Sequence, residues 1–288
     1  MSDGYQLVQL RNGTWSVRCL EVAETFHPVV GPEEEAEALY VRQLQLVDRF
    51  EKHRETSPNI PFVIWDVGLG AGANVLVAFR SLMGIRGSLR VISFDHTLAP
   101  LRFALSHASH LGYFGPLHPV VEQLLDSGSA RYGSGAFEAE WSVVQGDFPS
   151  LIHSSAAPTW PKPHCILFDA SSPARTPAMW TLPLFTRLRD LAIDTIPCAM
   201  ATYSRATLLR VTLLRAGWHV GVGRATGEKD ETTLAANRPE LIDAPLTRQW
   251  LDRALRSTSA EPMLEPHYRQ EPLSETSRRA LATHAQFQ

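Results

Sequence analysis

From residue 61 onward, short apolar runs alternate with stretches of helical spacing. PFVIWDV (61–67), LRVISFD (89–95), WSVVQGD (141–147), HCILFDA (164–170), PCAMATYS (197–204) and WHVGVG (218–223) each read as a buried strand ending in small or polar residues. Near-continuous apolar strands separated by helices predict a parallel sheet covered on both faces, a doubly wound α/β arrangement. Ahead of it, Tyr5 to Leu10 and Thr14 to Leu20 flank Asn12-Gly13, the signature of a tight hairpin. A helix is expected next: Pro32 suits its first position, Glu33, Glu34 and Glu35 its positive end, and Leu39, Tyr40, Leu44 and Val47 line one face. SGSARYGSG (127–135) and HSSAAPTWPKP (153–163) read as loops, and the polar stretch beyond 238 as an appendage with one short helix. The expected organisation is an N-terminal hairpin and helix (1–52), a nucleotide-binding domain (53–238) and a C-terminal appendage (239–288).

Composition narrows the class. The 288 residues, 44% hydrophobic and 20% charged, can bury one large core, which excludes disorder as the main state. No export signal and no apolar run of about 18 residues or more is present, so the expectation is a cytoplasmic protein without membrane contact. Cys19, Cys165 and Cys198 lack metal-ligand spacing, so neither a metal site nor a disulfide framework is expected. A net charge of −3 provides no global attraction for nucleic acid. Locally, residues 175–224 hold seven arginines against Asp190 and Asp194, although Arg210 and Arg215 fall on a predicted helix whose solvated face would account for them.

The chemistry centres on DVGLGAGANV (66–75), a glycine-rich turn between a strand and a helix. Gly68, Gly70 and Ala73 formally satisfy the dinucleotide fingerprint, which keeps a nicotinamide-dependent oxidoreductase open, as it does a cofactor-binding protein without turnover. Asp66 tips the balance. A carboxylate two residues before the first glycine repels a pyrophosphate and attracts the sulfonium and amino group of S-adenosylmethionine. No phosphate loop of the G-x-x-x-x-G-K-[ST] type exists. Four successive strand ends carry acids, Asp66, Asp95, Asp147 and Asp169, on the edge where such sheets bind ligands. Asp95 suits ribose hydroxyls, and Gly146-Asp147 suits an adenine amino group.

ILFDASSPARTPAMWTLPLF (166–185) resembles the strand end, proline-rich loop and Met-Trp helix start of the methyltransferase domain in the bacterial family that completes 5-methylaminomethyl-2-thiouridine in tRNA. DGYQLVQL, AETFHPVVGPEEEAEALYV, DVGLGAGANVLVAF and ATYSRATLLRVTLLRAGWHVGVGR are similar to further segments of that family. The resemblance covers roughly residues 3–238, with no oxidase segment after it, and implies a stand-alone Rossmann-like class I methyltransferase. It also implies S-adenosylmethionine as cofactor, tRNA as partner, and a separate oxidase acting on the preceding tRNA intermediate.

Cofactor-binding positions are then Asp66, Gly68, Gly70, Gly72, Asn74, Asp95, Gly146 and Asp147. Asp169 matches the family's loop acid and is the expected catalytic residue, orienting an amine and helping remove its proton. His27, Pro173, Trp180, Tyr203 and Arg224 are the expected substrate contacts, with Trp180 either stacking on a base or packing in the core. Two departures fall on the substrate side: Ser171, where the family has an aromatic residue, and GVGRATGEKDETT in place of a more basic segment. They motivate a small amine or another acceptor as the alternative substrate.

Overall fold

A computed structural model describes residues 4–27, 29–226 and 230–288. Strands β1 (Tyr5–Gln9), β2 (Trp15–Cys19) and β3 (Glu24–Thr25) form a small antiparallel sheet, with the expected turn at Asn12-Gly13. Helix α1 (Pro32–Ala36) starts at Pro32, with Glu33, Glu34 and Glu35 in its first turn. It widens into a π-helical turn over Glu37–Arg42, and α2 (Leu46–Thr56) follows. The main sheet then begins: β4 (Phe62–Val67), α3 (Ala73–Leu82), β5 (Gly87–Asp95), α4 (Ala99–Ser106), α5 (Ala108–Leu111), α6 (His118–Ser127), β6 (Ser129–Ser134), β7 (Phe137–Gln145), α7 (Phe148–His153), β8 (Cys165–Phe168), α8 (Leu182–Leu191), β9 (Ala199–Thr202), α9 (Thr207–Arg215), β10 (His219–Gly223), β11 (Thr232–Ala236), α10 (Arg248–Ala254) and α11 (Glu275–Ala282).

The eight strands lie in the order β10-β11-β9-β8-β4-β5-β7-β6. β7, β5, β4, β8 and β9 are parallel; β11 runs antiparallel between β9 and β10, and β6 antiparallel on the far edge. Alternation along β4 builds both cores. Phe62 and Ile64 face the layer of α2, α3, α4 and α6, while Val63, Trp65 and Val67 face α7, α8, α9, α10 and α11. Each fully buried Val, Leu, Ile or Phe contributes roughly 1.5–3 kcal/mol, so the strands are fixed by burial on both sides rather than by their own propensity.

Four expectations change. SGSARYGSG is not all loop: its centre forms β6, where only Ala130 is buried, and the pairing is set by the open edge of β7 rather than by apolar side chains. TTLAA forms β11, fully buried although the sequence pattern gave no strand there; residues 227–229 of the altered segment before it lie outside the described residues. Arg210 is not on a solvated face. It is 2% exposed and donates to Thr233 Oγ1, Thr232 O and Glu231 Oε1, pinning α9 to β11. The segment after 238 carries two helices, and Trp250, Leu251, Met263, Leu273, Leu281 and Phe287 are buried in the second core. No helix among the described residues is long and apolar enough to cross a membrane.

Candidate active site

The glycine turn runs from β4 into α3 at the carboxyl edge of the sheet. Gly68 has φ +93°, and a Cβ there would lie 2.6 Å from the Asp169 carbonyl oxygen, so the turn and the loop after β8 approach to a distance only glycine permits. Gly72, at the cap of α3, is packed equally closely on Leu101. Gly70 is different: its Cβ would meet only the Phe26 ring, at 3.7 Å, and its N–H donates to Asp95 Oδ2 at 2.9 Å. Asp95 Oδ1 accepts from the Thr97 N–H (3.2 Å) and lies 3.0 Å from His96 Nδ1. Gly146 N–H donates to the Asp95 carbonyl, and the exposed Asp147 caps α7 through Ser150.

Beneath the turn, Asp66 is fully buried on β4. Its Oδ2 accepts from Ser93 Oγ (2.7 Å), which itself accepts from Trp141 Nε1 (2.9 Å); Oδ1 has no partner among the described residues. Burial raises its pKa to about 7, against the pull of the Ser93 hydroxyl. Tyr113, missed from the sequence, is buried and donates its OH to the Ala71 carbonyl (3.0 Å), bracing the turn from α4–α6 territory.

The second half of the site is the loop after β8. Asp169 Oδ2 accepts from Asn74 Nδ2 at 2.6 Å, which ties the loop acid to the first turn of α3. His27 Nε2 lies 3.9 Å from the same oxygen, and its Nδ1 lies 3.7 Å from Glu35 Oε2. Burial pushes the imidazole pKa down, but Glu35 and Asp169 outweigh it and carry it above the usual 6.5. His27 also has φ +49°, a conformation uncommon outside glycine, which aims its ring between the two acids.

Three donors from elsewhere fix the loop backbone. Tyr40 OH reaches the Phe168 carbonyl (3.4 Å), Tyr203 OH that of Ala170 (3.1 Å), and Trp180 Nε1 that of Ser171 (2.7 Å). Burial, with Asp169 nearby, raises both phenol pKa values well above normal, so each stays protonated and serves as a donor. Trp180 is therefore corrected: it is fully buried and packs edge-on against Phe168, so it holds the loop and cannot stack on a base. Pro173 is half-buried on this loop, which Glu24 of β3 clasps through Arg175 (3.6 Å) and Ser172 (3.5 Å). Arg224 is exposed just past β10, with its N–H bonded to Gln43 Oε1 (2.8 Å), a residue that also binds Thr232 and Thr233 and was missed from the sequence. Glu35 and Tyr40 were visible only as parts of a helix pattern; nothing in that pattern marks them as neighbours of Asp169.

The residues fit S-adenosylmethionine. Asp66 Oδ1 and Asn74 Oδ1 are buried acceptors with no donor among the described residues, in a neighbourhood that also holds Asp95 and Asp169, so the turn is matched to a ligand bearing positive charge and N–H groups. A pyrophosphate would add negative charge to it. Among the described residues no group of three or more His, Cys, Asp or Glu is arranged to hold a metal ion.

Comparison with known proteins agrees. Residues 122–238 match the family described as S-adenosyl-L-methionine-dependent methyltransferase. Fold and matched segment are those of a class I, S-adenosylmethionine-dependent methyltransferase, with S-adenosylmethionine rather than a nicotinamide as cofactor. Within that class the chain is similar to the methyltransferase part of the tRNA 5-methylaminomethyl-2-thiouridine biosynthesis bifunctional proteins MnmC, as its motifs implied. The Aeromonas hydrophila protein is 28% identical over 230 residues, covering 76% of this chain and 33% of the relative. That of Nitrosospira multiformis is 27% identical over 208 residues, covering 69% and 31%. The chain spans about a third of the length of these relatives. The crystal structure of MNMC2 from Aquifex aeolicus superimposes with a TM-score of 0.69 at 21% identity, covering 96% of this chain and 84% of that one, a likeness of fold.

Proposed function

We propose that this chain transfers a methyl group from S-adenosylmethionine to the nitrogen of an aminomethyl group on a modified wobble uridine in tRNA. The observation that carries the reading is the Asn74–Asp169 hydrogen bond, which fixes a carboxylate of the acceptor loop against the helix that opens from the cofactor turn. Asp66, Gly68, Gly70, Gly72, Asn74, Asp95, Gly146 and Asp147 form or brace the cofactor side. When bound, the cofactor supplies an electrophilic methyl group. Asp169 does the rest of the work on the acceptor side: it binds the amine, orients its lone pair and accepts its proton, since only the neutral amine is nucleophilic.

The names of the relatives support tRNA as the substrate, and so does the rim of the site. Four of the seven arginines of 175–224 serve the fold: Arg187, Arg189, Arg210 and Arg215 bond carbonyls or side chains of the protein. Arg175, Arg205 and Arg224 are exposed on loops at the carboxyl edge, where phosphates of an RNA would pass, Arg175 and Arg205 there in long, exposed pairs with Glu24 (3.6 Å) and Asp230 (3.7 Å). The acceptor must come from a reaction that leaves a free primary amine, the product expected of a separate oxidase. The test is labelled S-adenosylmethionine with tRNA bearing an aminomethyl-uridine, beside a panel of small amines. Label in the wobble nucleoside is expected; label in small amines alone would overturn the tRNA assignment.

A further inference from the structure

His27 lies between two carboxylates that come from different parts of the chain. Its Nδ1 is 3.7 Å from Glu35 Oε2 and its Nε2 is 3.9 Å from Asp169 Oδ2, and the three side chains are only 9%, 12% and 19% exposed. An imidazole so placed can receive a proton on one nitrogen while presenting the other N–H to an acceptor. About 1 Å of approach brings each pair to hydrogen-bonding distance, a tightening common when a substrate seats. Glu35 and Asp169 are the charged groups that act on the ring, while the nearby Tyr40 and Tyr203 phenols stay neutral donors to the acceptor loop.

We propose that His27 and Glu35 form the path by which Asp169 passes on the acceptor's proton. The inference rests on the amine-acceptor reading above. An N–H bond of the acceptor ammonium breaks, its electron pair stays on nitrogen, and the proton moves to the Asp169 carboxylate. From there it passes to His27 Nε2 as the Nδ1 proton moves to Glu35, whose partly exposed carboxyl releases it to water. The nitrogen's freed pair then forms the new N–C bond as the C–S pair returns to sulfur, so one proton leaves for each methyl carried. His27 and Glu35 are positioning residues: they act through Asp169 and touch neither methyl donor nor acceptor.

The test uses the full chain in two measurements. The His27 ring is titrated by nitrogen-15 NMR, and single-turnover methyl transfer to aminomethyl-uridine tRNA is followed against pH, for wild type, Glu35→Gln and Glu35→Asp. Loss of the Glu35 charge lowers the His27 midpoint. The acidic limb of the rate profile then moves to lower pH with it, and the plateau above the limb falls on the order of tenfold, with Glu35→Asp recovering most of both. A Glu35→Gln protein whose His27 midpoint and rate limb match wild type overturns the path while leaving the methyltransferase reading intact. A wild-type protein inert toward the tRNA overturns the reading, and with it this inference; the His27 titration then still reports whether Glu35 controls the ring.

Discussion

Asp66 gives the most direct test of the cofactor side, because its burial has a calculable effect on the protein without ligand. Its pKa rises from the usual 3.8 to about 7 in the folded chain, so between those values the native state binds a proton that the unfolded state has lost. The sign follows: stability from this group is fully present below pH 3.8 and is lost as pH rises through 7. Three pH decades at about 1.4 kcal/mol each put the loss at about 4 kcal/mol. Asp66→Asn removes the titration. The amide still accepts from Ser93, but its NH2 replaces the partnerless Oδ1 and costs about 1–3 kcal/mol. Ligand-free Asp66→Asn is therefore expected to be more stable than wild type at pH 8 by roughly 1–3 kcal/mol, yet to bind S-adenosylmethionine more weakly, because the charge that pairs with the ligand is gone. Urea unfolding at pH 4.5, 6 and 8, with calorimetric binding at pH 8, reads both effects. A variant with the same decline of stability between pH 4.5 and 8 as wild type would refute the assignment of that slope to Asp66. Undiminished cofactor affinity would remove Asp66 from the cofactor site.

Gly68→Ala forces a Cβ onto the Asp169 carbonyl and is expected to lose roughly 2–4 kcal/mol, whereas Gly70→Ala meets only the Phe26 ring and loses about 1; equal melting temperatures would contradict the close approach. Asp169→Asn should lower single-turnover methyl transfer about 10²- to 10⁴-fold while cofactor affinity falls far less, and wild-type turnover would leave positioning alone as the source of rate. Trp180→Phe loses the bond to the Ser171 carbonyl and should cost about 1–3 kcal/mol in melting experiments; a change in RNA affinity with no change in stability would return Trp180 to the substrate surface. Replacing Arg205 or Arg224 by Ala should reduce the salt dependence of tRNA binding by about one counterion each, measured by titration at several salt concentrations.

The chain's local chemistry declares the parallel strands, the glycine turn and the acids at four strand ends. Strand periodicity is a property of a few consecutive residues, and so is the demand for glycine where a backbone turns sharply. Hence the places of Asp66, Gly68, Gly70, Asp95 and Asp169 at the turn and strand ends are legible without coordinates, and the family likeness implies roles for them. What each residue bonds to is another matter. Asp169 meets Asn74 across 95 residues, and His27 meets Asp169 across 142, distances over which no sequence pattern carries information. β6 became a strand because β7 offered an open edge, and Arg210 was buried because β11 offered its carbonyl and hydroxyl. Trp180 has the composition of a stacking residue and the surroundings of a core one. Hydrogen-bond partners and burial depend on which surfaces meet when both faces of the sheet are covered. Tertiary packing therefore decided which of the candidate residues face the site and which hold it in place.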